Sequence, residues 1–100
     1  MMTISVLTPE KQLFEGKIES VKVPGVLGQF QVLKNHAPVV SALEAGTIYL
    51  VTEGGEHKYY DEESGTIKVA EEKGKEISYK ISGGFIEVLK NEVALLIQGV

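Results

Sequence analysis

The sequence contains neither cysteine nor arginine. Without cysteine, disulfide bonds, thiolate catalysis and cysteine metal sites are all excluded. Because every one of the ten basic residues is a lysine, the chain also lacks the bidentate guanidinium fork that recognises phosphates and guanine edges. The formal net charge is −4, whereas a nucleic-acid-binding domain carries an excess of positive charge. A role in binding nucleic acid is therefore set aside.

Long apolar runs are also absent, so no segment is expected to insert into a bilayer. The first ten residues have no basic region followed by an apolar stretch, and we predict no signal peptide. The lack of cysteine fits a reducing compartment. One hundred residues, of which 43% are hydrophobic, correspond to one domain with a modest core. We therefore expect a single domain over 1–100.

Strand-like alternation of apolar and polar residues extends along almost the whole chain, and helical periodicity is hard to find. This pattern predicts an all-β fold, a two-sheet β-sandwich of about ten short strands. The predicted strands are Thr3–Thr8, Gln12–Glu15, Lys17–Val23, Phe30–Leu33, Val39–Leu43, Thr47–Thr52, His57–Tyr60, Thr66–Ala70, Glu76–Ile81, Gly84–Leu89 and Glu92–Ile97. The predicted core consists of Ile4, Val6, Ile18, Val21, Ile48, Leu50, Ile86, Val88, Val93 and Leu95.

Turn residues divide this pattern. Gly16 is expected to bend or bulge a strand, Pro24-Gly25 indicates a turn, and Lys90-Asn91 suits a tight hairpin. The charged segment Glu71–Lys75 separates two apolar strands, which predicts an extra hairpin around 66–81. In that hairpin Ile67 and Val69 of the first strand, and Ile77, Tyr79 and Ile81 of the second, are expected to face inward.

Catalytic motifs are scarce. Gly74-Lys75 lacks the first glycine and the hydroxyl residue of a phosphate-binding loop. His57 and the acidic residues 61–63 are candidate ligands of a divalent metal, but they lack the spacing of known zinc or calcium sites. A solvated acidic loop is therefore favoured. Tyr59-Tyr60 is more typical of one side chain facing each side of a strand than of a stacking platform. A triad of Ser41, His36 and an acid has no supporting context.

Two segments stand out as candidate binding surfaces. Asn35 tolerates a left-handed backbone, and Pro38 fixes its own φ and extends the preceding residue, so His36 is expected on a rigid corner. The imidazole either bonds its own turn or contacts a partner on an exposed loop. The other segment, Val26-Leu27-Gly28-Gln29, places apolar residues at a turn. Those residues either fold back into the core or are covered by a partner.

Three blocks in order give the chain a family resemblance. They are ISVLTPEKQLFEGKIESVKVPG at 4–25, NHAPVVSALEAGTI at 35–48 and ISGGFIEVLKNEVALL at 81–96. Together they resemble the N-terminal β-sandwich domain of the epsilon subunit of F-type ATP synthases. The chain departs from the family pattern at Gln31 and Asn35, where glycines are common, and in the extra length that we place around 66–81. It also stops at Val100, where the family continues into a helical hairpin.

The resemblance implies a non-catalytic central-stalk (rotor) subunit that links the gamma subunit to the c ring and couples proton translocation to ATP synthesis. Carried over by position, His36, Ala37 and Pro38 would contact gamma, and Val26, Leu27, Gly28 and Gln29 would contact the c ring. No cofactor or metal is implied, nor direct membrane insertion. The expected location is the cytoplasmic face of a bacterial inner membrane, within the ATP synthase complex. Without the family's C-terminal helices we expect neither inhibition of ATP hydrolysis nor affinity for ATP.

Two other functions stay open. A free-standing β-sandwich ligand-binding module, for example for carbohydrate, would show saturable binding of a small ligand. A small hydrolase is the third possibility. Association with a gamma-like coiled coil would distinguish the rotor subunit from both.

Overall fold

The computed structural model describes residues 1–99, and over that range it contains ten strands and no helix. The predicted all-β fold of about ten short strands is confirmed. The strands are β1 Met2–Leu7, β2 Gln12–Gly25, β3 Gly28–Leu33, β4 Val39–Leu43, β5 Gly46–Thr52, β6 His57–Asp61, β7 Thr66–Ala70, β8 Glu76–Ile81, β9 Gly83–Leu89 and β10 Glu92–Gln98.

The long strand β2 belongs to both halves of the fold. Its first half pairs with β1 and β6, and its second half pairs with β3 and β5. From β1 the pairing continues through β10, which is parallel to it, and then through β9 and β4. The circuit closes where Leu43 of β4 pairs with Gly25 at the end of β2. The result is a β-sandwich whose layers share one strand.

The core lies between these layers and follows the predicted alternation. All ten residues expected in the core are buried, and none is more than 4% exposed. Burial of large aliphatic side chains in alternate positions is what stabilises a sheet face against water. The core also includes Met2, Leu13, Phe14, Val23, Val32, Leu43, Ile81 and Ile97.

The bend or bulge predicted at Gly16 is wrong, because β2 keeps its register with β1 from Glu15 to Lys17. The turn predicted at Pro24-Gly25 is found one residue later, since β2 includes both residues and Gly25 pairs with Gly28 around the turn Val26-Leu27. Gly16 has a different role, because a Cβ atom there would clash with the Cβ of His57. The glycine allows β6 to approach β2 closely, and this contact places His57 in the interior.

The predicted hairpin around 66–81 is also wrong in its pairing, although both strands exist with the predicted bounds. Strand β7 pairs with β6, and strand β8 pairs with β5. Thr52 explains this arrangement, since its backbone N–H donates to the Lys75 carbonyl at 2.9 Å and its hydroxyl accepts from the Lys75 N–H at 3.0 Å. The segment 71–75 is thereby held at the end of β5, and the hairpin in this region is β6–β7.

Ile67 and Val69 do not face inward as predicted. They are 48% and 56% exposed, because β7 lies at the edge of the sheet and, among residues 1–99, pairs only with β6. On β8 the prediction holds for Ile81, which is buried, and Ile77 and Tyr79 are partly buried against the core. Alternation predicted both strands, but only the pairing decides which faces are covered.

The β6–β7 turn is closed by Asp61, in agreement with the predicted polar loop. Its carboxylate forms an ion pair with Lys68 at 2.8 Å and accepts a hydrogen bond from the Ser64 hydroxyl at 3.0 Å. These contacts, that with Lys68 foremost, hold the pKa of Asp61 below its ordinary value. The acidic segment is thus fixed by contacts within the hairpin itself.

Candidate protein-binding surfaces

The first candidate surface is the corner 34–38, which connects β3 to β4. The His36 N–H donates to the Leu33 carbonyl at 3.0 Å, and Asn35 has the expected left-handed backbone with φ of 66°. His36 Nδ1 lies 2.6 Å from the Ala37 carbonyl oxygen. Because a carbonyl only accepts, Nδ1 carries the proton in this contact. The ring therefore bonds its own turn, which leaves Nε2 available to a partner.

A pair of asparagines holds this corner to the rest of the molecule. The Asn35 N–H donates to Asn91 Oδ1 at 2.6 Å, and Asn91 Nδ2 donates to Asn35 Oδ1 at 3.1 Å. Asn91 lies in the tight turn between β9 and β10, where Lys90 and Asn91 have φ values of 49° and 64°. The predicted tight hairpin is confirmed, and both residues have the positive φ that a two-residue turn of this kind requires. The asparagine pair fixes the corner against a turn 56 residues away in sequence.

An apolar depression adjoins the corner. Pro38 is exposed, Val40 and Leu89 are 72% and 49% exposed, and these residues line a shallow depression of about 250 Å³. Neighbouring exposed apolar side chains are typical of a surface that another protein covers. The corner therefore offers a polar imidazole beside an apolar rim.

The second candidate surface is the turn between β2 and β3. Leu27 is fully exposed and Val26 is 48% exposed, so the side chains do not fold back into the core. Gly28 has a φ of +125°, a backbone conformation that favours glycine. The Glu44 N–H donates to the Pro24 carbonyl at 2.8 Å and ties the strand below the turn to β4. The turn presents Leu27 to solvent from an ordered base.

These two surfaces lie at opposite ends of β3. The strand spans Gly28–Leu33, and at about 3.3 Å per residue its ends are roughly 17 Å apart. One small contact cannot cover both ends. The geometry suits two different contacts, one at each end of the strand.

The other candidate residues do not assemble a catalytic or metal site. The Ser41 hydroxyl donates to the Ala42 carbonyl at 3.1 Å, and His57 is buried against Phe14. Over residues 1–99 no group of three or more His, Cys, Asp or Glu side chains is placed to hold a metal ion. That stretch also has no helix long and apolar enough to cross a membrane.

Sequence reasoning missed Asn91 as part of the corner. Its turn was predicted, but the contact with Asn35 depends on how β9 and β4 pair, and no local pattern encodes it. The one available signal was the presence of two asparagines at positions suited to a left-handed backbone.

Comparisons with known proteins agree with this fold. The family model described as the β-sandwich domain of the ATP synthase delta/epsilon chain matches residues 1–73. The ATP synthase epsilon chain of Chlorobaculum tepidum is 36% identical over 98% of this chain and 90% of its own length. The epsilon chain of Salinibacter ruber is 31% identical over 99% of this chain, which spans 59% of that longer relative.

Solved structures show the same fold at lower identity. A chain of the Euglena gracilis mitochondrial ATP synthase (OSCP/F1/c-ring) matches with a TM-score of 0.74 and 20% identity, over 98% of this chain and 51% of that one. A chain of the Tetrahymena thermophila mitochondrial ATP synthase central stalk and c-ring matches with a TM-score of 0.64 and 14% identity, over 98% and 63%. With the family model covering 1–73 and a bacterial relative matched over nearly its whole length, the chain belongs to the ATP synthase delta/epsilon family and is built on its β-sandwich domain.

Proposed function

We propose that this chain is a central-stalk subunit of an F-type ATP synthase that links the gamma subunit to the c ring and couples proton translocation to ATP synthesis. The observation that carries the proposal is the pair of exposed surfaces at opposite ends of β3, on a fold whose relatives are ATP synthase epsilon chains. A coupling subunit needs two contacts on one rigid body. The sandwich supplies them without a catalytic constellation.

In this proposal the corner with His36, Ala37 and Pro38 contacts gamma. The free Nε2 supplies one hydrogen bond, and the neighbouring apolar depression supplies buried area, the combination found in the centre of protein interfaces. The asparagine pair keeps the corner in one conformation before binding. Less ordering entropy is then lost on association.

The turn with Val26, Leu27, Gly28 and Gln29 contacts the c ring. Leu27 gains most from such a contact because it is fully exposed in the free chain, and burying a leucine side chain contributes about 1.5–3 kcal/mol. Association with the ring places the subunit peripherally at the membrane, on the cytoplasmic face in a bacterial cell. The subunit has no catalytic function of its own.

The β6–β7 hairpin extends the contact with gamma. Ile67 and Val69 lie on one exposed face of the edge strand β7. An exposed apolar edge strand invites pairing with another chain unless it is covered or protected. Contact with gamma would cover this face.

A pull-down from native membranes tests the proposal. The tagged chain is expected to bring down the other ATP synthase subunits, gamma and c among them, and a tagged variant with Leu27→Asp and His36→Ala should bring down less of both. Recovery of the chain alone would contradict the proposal. It would favour the free-standing ligand-binding module instead.

A further inference from the structure

A cleft of about 540 Å³ opens between β6 and β8, away from both candidate protein-binding surfaces. It exists because β7 pairs with β6 and β8 pairs with β5, so the two neighbouring edges are left apart. Clefts of a few hundred cubic ångströms with mainly apolar walls and a few polar groups are typical of small-molecule sites. The dimensions suit a ligand of one or two rings.

The walls of the cleft combine three tyrosines, His57 and Ile77 with five charged or polar residues. Tyr59 comes from β6, and Ile77 and Tyr79 come from β8; all three are partly buried against the core. The Tyr79 hydroxyl donates to the Leu13 carbonyl at 3.4 Å, and burial raises the pKa of Tyr79 to about 12, so the ring is held as an uncharged wall. Faces of this kind favour a planar aromatic ligand through stacked or edge contacts.

One polar side chain in the cleft lacks a partner. His57 lines the cleft and is 3% exposed, and its Nδ1 is buried with no hydrogen-bond partner among residues 1–99. A buried polar atom without a partner costs about 1–3 kcal/mol. Nδ1 is itself sealed from the cleft in this structure, so a bound group reaches it only when the imidazole turns toward the cleft, and pairing then recovers part of that cost.

The charges at the cleft balance. Two lysines, Lys75 and Lys80, and two glutamates, Glu62 and Glu76, line the cleft. The charges of these four side chains cancel, so electrostatic attraction favours neither an anionic nor a cationic ligand. Shape and the imidazole therefore decide what binds.

We propose that the cleft between β6 and β8 binds a small, uncharged planar aromatic molecule whose hydroxyl or ring N–H pairs with His57. The histidine supplies orientation, and Tyr59, Tyr79 and Ile77 supply the apolar contact. This site is separate from the corner 34–38 and from the turn 26–29, and it shares strand β6 with the hairpin assigned to gamma.

The test is an NMR titration of the 100-residue chain with p-cresol and, separately, toluene, which has the same ring but no hydroxyl. We expect saturable amide shifts in β6 and β8 with both ligands, and tighter binding of p-cresol by about fivefold, the effect of one neutral hydrogen bond. Absence of saturation up to about 10 mM, where even an efficient small ligand would bind, would overturn the proposal. Equal affinities, or shifts confined to other strands, would do the same.

Variants at His57 locate the hydrogen bond. His57→Phe keeps the ring that stacks on Phe14 and is expected to equalise the two ligands. His57→Asn places an amide where Nδ1 lies and is expected to retain a preference for p-cresol. Retention of the full preference in folded His57→Phe, or its loss in folded His57→Asn, would contradict the assignment.

Wall variants give a second readout that does not depend on His57. Tyr59→Leu is expected to weaken p-cresol at least about threefold through lost aromatic contact, and Tyr49→Leu, on a strand outside the cleft, should leave binding unchanged. Equal effects of the two leucine substitutions would place the ligand elsewhere. If His57→Phe does not fold, this pair decides the outcome.

Discussion

At the scale of single residues, the asparagine pair shows how one side chain positions a binding surface without touching the partner. Asn35 and Asn91 both have left-handed backbones, a conformation that strains most residues but not glycine. Either asparagine can therefore be replaced by glycine without backbone strain. Asn91→Gly removes both side-chain hydrogen bonds to Asn35 and keeps the turn.

We expect Asn91→Gly to speed amide hydrogen exchange at 34–38 and to weaken gamma binding by about 1 kcal/mol, because the corner must be ordered on association. Lys90→Gly is the matched control, since Lys90 has the same left-handed backbone and no contact with the corner. His36→Ala should weaken gamma binding by about 1–2 kcal/mol. Because it removes the ring's bond to the Ala37 carbonyl and leaves the asparagine pair in place, it should speed exchange at the corner less than Asn91→Gly does. Equal effects of the two glycine variants would show that the asparagine pair does not hold the corner in its binding conformation.

Leu27 allows the opposite end of β3 to be tested separately. Leu27→Asp is expected to leave gamma affinity and the stability of the fold unchanged, because the side chain is fully exposed, and to reduce ATP-driven proton pumping by the assembled enzyme. Gln31→Glu, which adds the same charge midway along β3, is the control. Loss of gamma binding in Leu27→Asp would show that the assignment of this turn to the c ring is wrong.

His57 predicts a specific dependence of stability on pH. Burial lowers its pKa below the ordinary value of 6.5, and Glu72 and Lys75 act on it in opposite directions with smaller effect. The unfolded chain therefore binds more protons than the folded chain below pH about 6.5. This contribution to stability is complete above that pH and is lost as the pH falls through the folded pKa.

Urea denaturation between about pH 7 and pH 5 measures this effect. The free energy of unfolding should decrease with falling pH in the wild type, and the slope should be smaller in His57→Phe. A wild-type stability independent of pH over this range, or an unchanged slope in the variant, would show that His57 does not titrate as its burial requires.

At the scale of strands, the alternation of apolar and polar residues predicted which side chains are buried, but it did not predict which strands pair with each other. All ten predicted core residues are buried, because period-two alternation reports directly which side chains share a face. The partner of β7 is not encoded locally. It depends on Thr52 holding 71–75 at the end of β5 and on Gly16 allowing β6 to pack against β2.

The candidate surfaces also combine features that residue type predicts with features that depend on the tertiary structure. The left-handed Asn35 and the rigid Pro38 corner follow from residue type, and so does the unusual exposure of an apolar turn at Val26-Leu27. The contact between Asn35 and Asn91 and the cleft at His57 arise from strands far apart in sequence. They could be found only in three dimensions.

The β6–β7 hairpin carries its own prediction. Val69→Glu should cost the fold less than about 1 kcal/mol, because the side chain is half exposed and opposite Lys58, and should weaken gamma binding by about 1–2 kcal/mol. Gln31→Glu again controls for added charge. Unchanged gamma affinity in Val69→Glu would leave the hairpin outside the interface.

At the scale of the whole molecule, the proposed function requires one rigid sandwich to join two partners. Its radius of gyration is 12.6 Å, close to the roughly 13 Å typical of a compact domain of about 100 residues. The proposed transmission of force between gamma and the c ring requires a body that does not deform, and ten strands around one core fit that requirement.

The most direct measurement of this claim is ATP-driven proton pumping by an enzyme depleted of its epsilon subunit, in inverted membrane vesicles, as the purified chain is added. We expect the chain to bind the depleted enzyme and to restore pumping in proportion to the amount bound. The Leu27→Asp variant should bind this enzyme more weakly, because its contact with the c ring is lost, and should restore less pumping for the same amount bound. Failure of the wild-type chain to bind, or full binding with no recovery of pumping, would contradict its role as the coupling subunit.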